Sequence, residues 1–260
     1  MAWILIAIAV VTLWVVSLYR ILSSSSASVP SNPRFLSNGD ACKKRNVLVV
    51  VAHPDDESMF FAPTILFLAS EGHILHILCL STGNADGKGN VRKEELYRAC
   101  AVFKVPPQKV KILDHPNLQD GFGNQWDHQL IAKIVEEEIE MYSIDSLITF
   151  DRFGVSRHQN HRDVYHGICV LLRENSKRDV EAWELVSTSI LRKYSGPVDI
   201  WVSTCFLSCD KERTYSLMNK HPGVTYLAMA EHYSQWIWFR KLFVLFSSYT
   251  YTNTLRKINM

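Results

Sequence analysis

Apolar residues fall into short blocks along most of this chain, separated by mixed stretches. Four short runs are rich in Val, Ile and Leu: residues 46–52, 73–80, 109–113 and 145–151. Four longer stretches have the apolar spacing of helices: residues 58–70, 91–103, 127–142 and 160–174. Alternation of this kind is typical of a parallel sheet with crossover helices. We therefore expect an α/β fold with a Rossmann-like, doubly wound, mostly parallel sheet flanked by helices, which runs at 186–191 and 198–202 would complete.

The first segment has a different pattern. Residues 2–19 carry no charge, and about 18 residues at ~1.5 Å each approach the ~30 Å apolar thickness of a bilayer. A cleaved signal peptide is the alternative, but the stretch is long for one and no basic residue precedes it. Basic residues cluster after it, which marks the cytoplasmic flank. We expect residues 1–22 to form a transmembrane helix, 23–44 a tether rich in Ser, Pro and Asn, and 45–260 a domain facing the cytosol.

The net charge bears on nucleic-acid binding, and the cysteines bear on the compartment in which the protein folds. The net charge is +2, from 28 basic and 26 acidic residues, so no strong field favours nucleic acid. The six cysteines are scattered through the sequence and form neither a zinc knuckle nor a redox pair. Buried thiols behave as small apolar side chains, which indicates a reducing compartment.

The residues after the first run are rich in carboxylates. The sequence VAHPDDES, residues 51–58, places one His, two Asp and one Glu within five positions. Adjacent like charges repel unless a cation or solvent compensates them. One interpretation is that a cation is bound there. The alternative is that His53 ends the strand and the acids begin a helix, whose dipole stabilises carboxylates.

A second cluster, RHQNHRD at 157–163, follows the fourth run. The carboxyl ends of parallel strands meet at one edge of a sheet, where ligands bind. We therefore expect His53, a carboxylate of its turn, and His158 or His161 to share a divalent cation. Catalytic zinc sites use three such ligands and a water, and a carboxylate outside the ligand set can take the proton of that water. Imidazole and carboxylate also suit iron or manganese, so the spacing does not name the metal.

Several segments of the chain resemble the LmbE-like, or PIG-L, de-N-acetylase family. The resemblance extends from about Asn46 to the C-terminus. With the apolar N-terminus, it is similar to the eukaryotic branch, which acts in GPI-anchor synthesis. The matching segments are VVAHPDDESMFFAPT, STGNADGKGNVRKEELYRAC, ILDHPNLQDGF and ITFDRFGVSRHQNH.

The resemblance implies a reaction and a location. It implies removal of acetate from the glycolipid N-acetylglucosaminylphosphatidylinositol by a single-pass enzyme of the endoplasmic reticulum membrane, with its catalytic domain in the cytosol. His53, Asp56 and His161 match the zinc ligands of the family. Asp55 matches the general base, and His158 the residue that stabilises the oxyanion or protonates the leaving amine. The sequence names no protein partner.

Other positions of the family pattern match less closely. Arg92 and Asp120 fall where bacterial members hold the sugar. Those members often read Gly-His-Pro-Asp-His where this chain has Arg157 to His161, and Ser156 stands near the position of a Tyr that some of them use. We therefore expect no tyrosine at this position to assist the transition state.

Three further features have two interpretations each. The glycine-rich STGNADGKGN precedes a predicted helix, so backbone N–H groups and Lys88 could receive the inositol phosphate, or the segment is a solvated loop. Asp151 could orient a histidine or cap the next turn. The aromatic stretch at 234–251 could be a core helix or an interfacial one, since Trp and Tyr beside Arg240 and Lys241 suit lipid headgroups.

Two alternatives to the lipid enzyme remain from the sequence. The first is a membrane-tethered binding protein that has lost catalysis, although His53, Asp55, Asp56 and His161 are all present. The second is a deacetylase of a soluble N-acetyl sugar, which the apolar N-terminus argues against. A nucleotide-binding protein is disfavoured, because neither a P-loop nor a dinucleotide fingerprint occurs.

Overall fold

The computed structural model describes residues 1–23, 36, 44–121, 123–174, 180–207 and 214–259. The described residues form one seven-stranded sheet, with strand order β3-β2-β1-β4-β5-β7-β6. The strands are β1 (Asn46–Val51), β2 (Ile74–Cys79), β3 (Val110–Ile112), β4 (Ser146–Phe150), β5 (Glu181–Leu185), β6 (Thr214–Met218) and β7 (Thr252–Lys257). β1 to β5 pair in parallel, and β7 is antiparallel to both β5 and β6.

Helices surround this sheet. They are α1 (Ala2–Ser23), α2 (Asp56–Met59), α3 (Ala62–Ser70), α4 (Gly89–Val102), α5 (His128–Tyr142), α6 (Gly154–Arg157), α7 (Gln159–Glu174), α8 (Ile190–Lys193), α9 (Asp199–Leu207), α10 (Pro222–Ala230), α11 (Trp238–Phe246) and α12 (Ser248–Tyr251). Single 3₁₀ turns lie at Asn84–Asp86, Pro107–Lys109, Gly196–Val198 and Tyr233–Gln235. The predicted α/β architecture is confirmed.

The strand order explains why helices cover both faces of the sheet. From β1 the chain steps outward through β2 to β3, then returns to β4 on the other side of β1. Right-handed crossovers that step in opposite directions put their helices on opposite faces, so α3 and α4 lie on one face and α5 and α7 on the other. Covered on both faces, β1 is apolar after its first residue, and Val47 to Val51 are all buried. The switch in direction lies between β1 and β4, and ligands bind at such points.

The prediction for the second half of the sheet is wrong in detail. The run at 186–191 follows β5 instead of forming a strand, and 198–202 falls in the 3₁₀ turn and α9. The actual strands β5 and β7 carry charged residues. They are stable in the sheet because Glu181 pairs with Lys257 and Glu184 with Arg256 across the antiparallel contact. Such cross-strand pairs replace the apolar pattern on which the prediction relied.

The N-terminal helix contacts the domain directly. α1 is long and apolar enough, by length and composition, to cross a membrane. Most of α1 is exposed, but in its last turns Ser17 and Ile21 are fully buried against the domain. Trp201 of α9 donates to the Ser17 hydroxyl at 2.9 Å, and Ile21 packs with Ile200, Met218 and Tyr251. The predicted tether, 23–44, lies almost wholly outside the described residues.

Candidate active site

The turn after β1 positions three acidic side chains. Asp55 has a left-handed backbone, with φ 114°, which is rare for a residue other than glycine. The next residue, Asp56, turns its carboxylate back to accept the N–H groups of Ala52 at 3.1 Å and His53 at 2.8 Å. These bonds hold the Asp56 carboxylate at the end of β1 in a buried position.

The second histidine cluster is positioned by the segment after β4. His161 stacks on Phe150, with ring centroids 4.1 Å apart and an interplanar angle of 6°. Its Nδ1 lies 3.1 Å from the carbonyl oxygen of Gly154, which leaves Nε2 directed at the Asp56 carboxylate, 3.2 Å away. His158 precedes α7, and its ring stacks on that of His161 at 4.7 Å.

The two clusters meet at the carboxyl edge of the sheet. One ring nitrogen from each of His53, His158 and His161 lies within 4.8 Å of the others. The Asp56 carboxylate touches this group from the β1 side, 3.7 Å from Nδ1 of His53. Residues separated by about a hundred positions in the sequence therefore surround one small volume.

The donor set fits a divalent cation. Three imidazoles and one carboxylate are ligands that zinc, iron and manganese accept. The contact of His161 Nδ1 with a backbone carbonyl is the type of outer-shell bond that fixes the tautomer of a ligating histidine. His53, Asp56 and His161 are the three residues that the family resemblance implies as ligands, and His158 adds a fourth donor beside them.

Asp120 and Arg92 also reach this site. Oδ1 of Asp120 lies 3.2 Å from Nε2 of His53, and Oδ2 lies 3.7 Å from the Arg92 guanidinium. Arg92 is buried and donates to the carbonyl oxygens of Pro54 at 2.6 Å and Gly83 at 2.8 Å. The arginine therefore ties the Asp55 turn to the loop after β2. Lys88, by contrast, is exposed at the residue before α4.

Close charges shift the protonation of these groups. Burial disfavours a charged His53, but the hydrogen bond to Asp120 and the charges of Asp56 and Asp120 raise its pKa overall. Burial also opposes ionisation of Asp56, yet the charge and hydrogen bond of His161 hold its pKa below the usual range. Burial, together with the two neighbouring imidazoles, lowers the pKa of His158 to about 4.

Four residues of the site environment were not assigned from the sequence. Arg240 of α11 donates to the Asp55 carboxylate at 2.6 Å. Asn160 places its side-chain oxygen 3.2 Å from His53 Nε2. Glu57 lies fully buried against His232, 2.7 Å away, and accepts the backbone N–H of Asp55. The local sequence does not predict these roles. Three of the contacts join residues far apart in the sequence, and the fourth depends on the backbone geometry of the turn.

Asp151 takes the capping role and not the histidine-orienting one. Its carboxylate accepts the N–H groups of Phe153 and Gly154, each at 3.0 Å. It also accepts the N–H and hydroxyl of Ser187 at 2.7 and 2.6 Å. Asp151 therefore fixes the loop that carries Gly154, and Gly154 in turn contacts His161.

The mostly parallel α/β sheet and its helices form a fold that is known from other structures. The chain is similar in fold to N,N'-diacetylchitobiose deacetylase from Pyrococcus horikoshii, with a TM-score of 0.61 and 12% identity over 86% of this chain and 89% of that one.

Sequence comparison identifies the family. Residues 48–171 match the family model PIG-L: GlcNAc-PI de-N-acetylase. N-acetylglucosaminyl-phosphatidylinositol de-N-acetylase from Bos taurus is 37% identical over 80% of this chain and 81% of its own length. A probable enzyme of the same name from Dictyostelium discoideum is 35% identical over 83% of this chain and 94% of its own. The chain belongs to the PIG-L family.

Proposed function

We propose that this protein is a metal-dependent deacetylase that converts N-acetylglucosaminylphosphatidylinositol to glucosaminylphosphatidylinositol in GPI-anchor biosynthesis. The observation that carries the proposal is the gathering of His53, Asp56, His158 and His161 at one edge of the sheet, in a chain of the PIG-L family. The names of the relatives from Bos taurus and Dictyostelium discoideum support the choice of substrate.

In this proposal His53, Asp56 and His161 hold the metal, with zinc as the expected ion. When bound, such an ion polarises the acetamide carbonyl and makes a bound water more acidic. The buried setting of the three residues supports this assignment, because a low local dielectric strengthens their interaction with a cation. Asp56 suits the ligand role better than Asp55, since its carboxylate already touches both imidazoles.

Asp55 acts as the general base, and His158 stabilises the oxyanion or protonates the leaving amine. Asp55 accepts a proton from the attacking water, whose oxygen bonds to the carbonyl carbon of the acetamide. His158, whose ring lies 4.9 Å from that of His53, stabilises the developing oxyanion by a hydrogen bond, or passes to the amine nitrogen the proton that Asp55 took from the water. The C–N bond then breaks, and acetate and the glucosamine amine are released. Arg240 donates to Oδ2 of Asp55, so the other carboxylate oxygen, Oδ1, takes the proton of the water.

Arg92 and Asp120 border the place of the sugar. The Asp120 carboxylate can accept hydrogen bonds from the sugar hydroxyl groups. Arg92 pairs with Asp120 and donates to the turn that carries Asp55. Lys88 is free to reach the inositol phosphate from the solvent side, because it is exposed at the start of α4. We place the protein in the endoplasmic reticulum membrane with α1 as its single span and the domain on the cytosolic side; the length of α1 supports the span.

The test is a deacetylation assay with the purified full-length chain. N-acetylglucosaminylphosphatidylinositol in mixed micelles is incubated with enzyme that is untreated, stripped by chelator, or stripped and then resupplied with zinc. We expect the free-amine lipid, measured by mass spectrometry, to appear in the first and third samples only. N-acetylglucosamine serves as the soluble comparison substrate. Chelator-insensitive turnover would refute metal dependence, and equal turnover of the soluble sugar would refute the lipid specificity.

A further inference from the structure

Helix α11, near the C-terminus, turns its apolar side chains toward solvent. Along α11 the large apolar side chains that face solvent are Trp238, Phe239, Leu242, Leu245 and Phe246. At about 100° per residue they cover one arc of roughly 120°. Trp238 is 72% exposed and Leu242 47%. A helix of a soluble domain normally turns such an arc toward the core and its polar face outward.

The opposite side of α11 packs toward the active site. Val244 is buried, and the ring of Phe243 packs edge-on against Phe60 at 5.7 Å. Phe60 in turn lies 5.9 Å from the His161 ring. Arg240 leaves the same side to pair with Asp55. The exposed arc therefore has no place left in the core, and α11 separates the active site from whatever covers that arc.

A neighbouring helix extends the same surface. α8 exposes Ile190 and Leu191, at 72% and 84%. The following residue Tyr194 contacts Phe243 of α11 edge-on, with ring centroids 6.1 Å apart. We call these exposed side chains of α8 and α11 the α8–α11 surface. An apolar patch of this extent marks an interaction site on a soluble domain.

The α8–α11 surface is continuous with the candidate membrane span. A cleft of about 650 Å³ is lined by Val10, Val11 and Trp14 of α1 on one side. Tyr194, Leu245 and Phe246 line the other side. The two apolar surfaces thus share one cleft, so a bilayer around α1 would reach the domain at this cleft.

Basic and aromatic side chains border the surface. Lys241 lies beside the apolar arc, with its ammonium 5.6 Å from the Trp236 ring. On the α8 side, Lys193 donates to the carbonyl oxygen of Val155 at 2.6 Å. That bond joins α8 to the segment where Arg152, Arg157 and Arg162 line a cleft of about 480 Å³. Cations of this kind are attracted to anionic lipid headgroups, and Trp and Tyr prefer the same depth.

We propose that the α8–α11 surface docks into the bilayer beside α1, so that the domain lies on the membrane with α11 between lipid and active site. The proposed function explains why such docking would be useful, since it brings the active site to a substrate held in the lipid. The docking itself is inferred from the surface alone. The occupant is a phospholipid surface, because the arc is apolar, is bordered by cations and joins a candidate membrane span.

The test measures lipid contact in the full-length chain without turnover. Exposed Cys205 is replaced by Ser, as are Cys42 and Cys209, while buried Cys79, Cys100 and Cys169 are kept. A nitroxide is then attached at Leu242→Cys in vesicles of phosphatidylcholine and phosphatidylinositol. The control is Met141→Cys, 64% exposed on α5, a helix that forms no part of the α8–α11 surface. Collision rates are measured with oxygen, which concentrates in lipid, and with a water-soluble nickel chelate.

We expect the ratio of oxygen to nickel collisions to be several-fold higher at position 242 than at position 141. Nickel access at 242 equal to that at 141 would overturn the proposal by showing a solvated surface. Shielding from both agents, with spin–spin broadening between labels, would overturn it in favour of a second copy of the chain. If Leu242→Cys melts at a lower temperature than the unlabelled protein, Trp238→Cys is used instead. Turnover of the micellar glycolipid is assayed separately, so docking and deacetylation can fail independently.

Discussion

The guanidinium of Arg240 lies 2.6 Å from the carboxylate of Asp55, although 185 residues separate them. The Gln235 side chain accepts from the same Arg240 nitrogen, and Arg92 stands 3.5 Å from the same Asp55 oxygen, Oδ2. Asp55 is buried, with Asp56 and Glu57 next to it in sequence. Arg240 therefore compensates part of a dense negative charge, and it does so from a helix whose other face is apolar.

Replacing Arg240 by Gln should destabilise the domain. The change removes a charge-assisted hydrogen bond to a buried carboxylate, and such bonds contribute about 1.5–3 kcal/mol. We expect a lower thermal midpoint for Arg240→Gln in detergent, measured by circular dichroism. Lys241→Gln is the matched control, because the adjacent lysine is exposed and contacts no carboxylate among the described residues. Equal midpoints for the two variants would show that the Arg240 contact contributes nothing to stability.

Substitutions of the two adjacent aspartates should differ in their effects on metal content. Asp55→Asn should retain bound metal while turnover falls by about two to four orders of magnitude, the usual contribution of a positioned base. Asp56→Asn should lose metal as well, because its carboxylate touches His53 and His161. Metal content by elemental analysis, with turnover measured on the same samples, distinguishes them. Loss of metal from Asp55→Asn would mean that the two roles are reversed.

The pair of Glu57 and His232 should be a main contributor to stability. Both side chains are fully buried, 2.7 Å apart, and removing one partner of a buried ion pair typically costs about 3–5 kcal/mol. We expect His232→Leu to lower the free energy of unfolding by that amount, measured by chemical denaturation. His221→Leu, a change at an exposed histidine, should alter it little. A small effect of His232→Leu would show that Glu57 is satisfied by Ser58 and other neighbours alone.

The same pair predicts a pH dependence. Burial alone would lower the pKa of His232, but the charge and hydrogen bond of Glu57 raise it above 6.5. A raised histidine pKa gives stability that is complete below the unfolded value and is lost as pH rises through the folded value. The stability difference between the native chain and His232→Leu should therefore shrink as pH increases above about 6.5. A difference that grows with pH would contradict a charged His232.

Gly154 should matter to metal binding although it has no side chain. Its φ is +57°, and a Cβ there would lie 2.8 Å from Cβ of His161. Gly154→Ala should displace His161 and weaken metal binding by about 10–100-fold, as changes to outer-shell contacts do. The measurement is competition with a metal chelator. Gly87→Ala is the control, since Gly87 has a similar φ of +72° but an added Cβ would meet nothing within 4 Å. Equal losses in both variants would point to general backbone strain.

The sequence by itself determined the first half of the sheet and the edge of it at which the two histidine clusters meet. β1 to β4 are local apolar runs, and the helices between them have a clear period, so both were predicted within a few residues. Because the carboxyl ends of parallel strands meet at one edge, the sequence predicted that His53, a carboxylate of its turn, and His158 or His161 would lie together. The family resemblance then selected among the two aspartates and two histidines.

Only the tertiary structure decided the second half of the sheet and the surroundings of the site. β5 and β7 are stabilised by charged pairs between distant segments, which no local pattern shows. The contacts of Asp55 with Arg240 and of Glu57 with His232 join residues more than 170 positions apart. The direction of the apolar arc of α11 was also open in the sequence, because its period fits a buried and an exposed face equally. Packing of Phe243 and Val244 inward is what turned that arc outward.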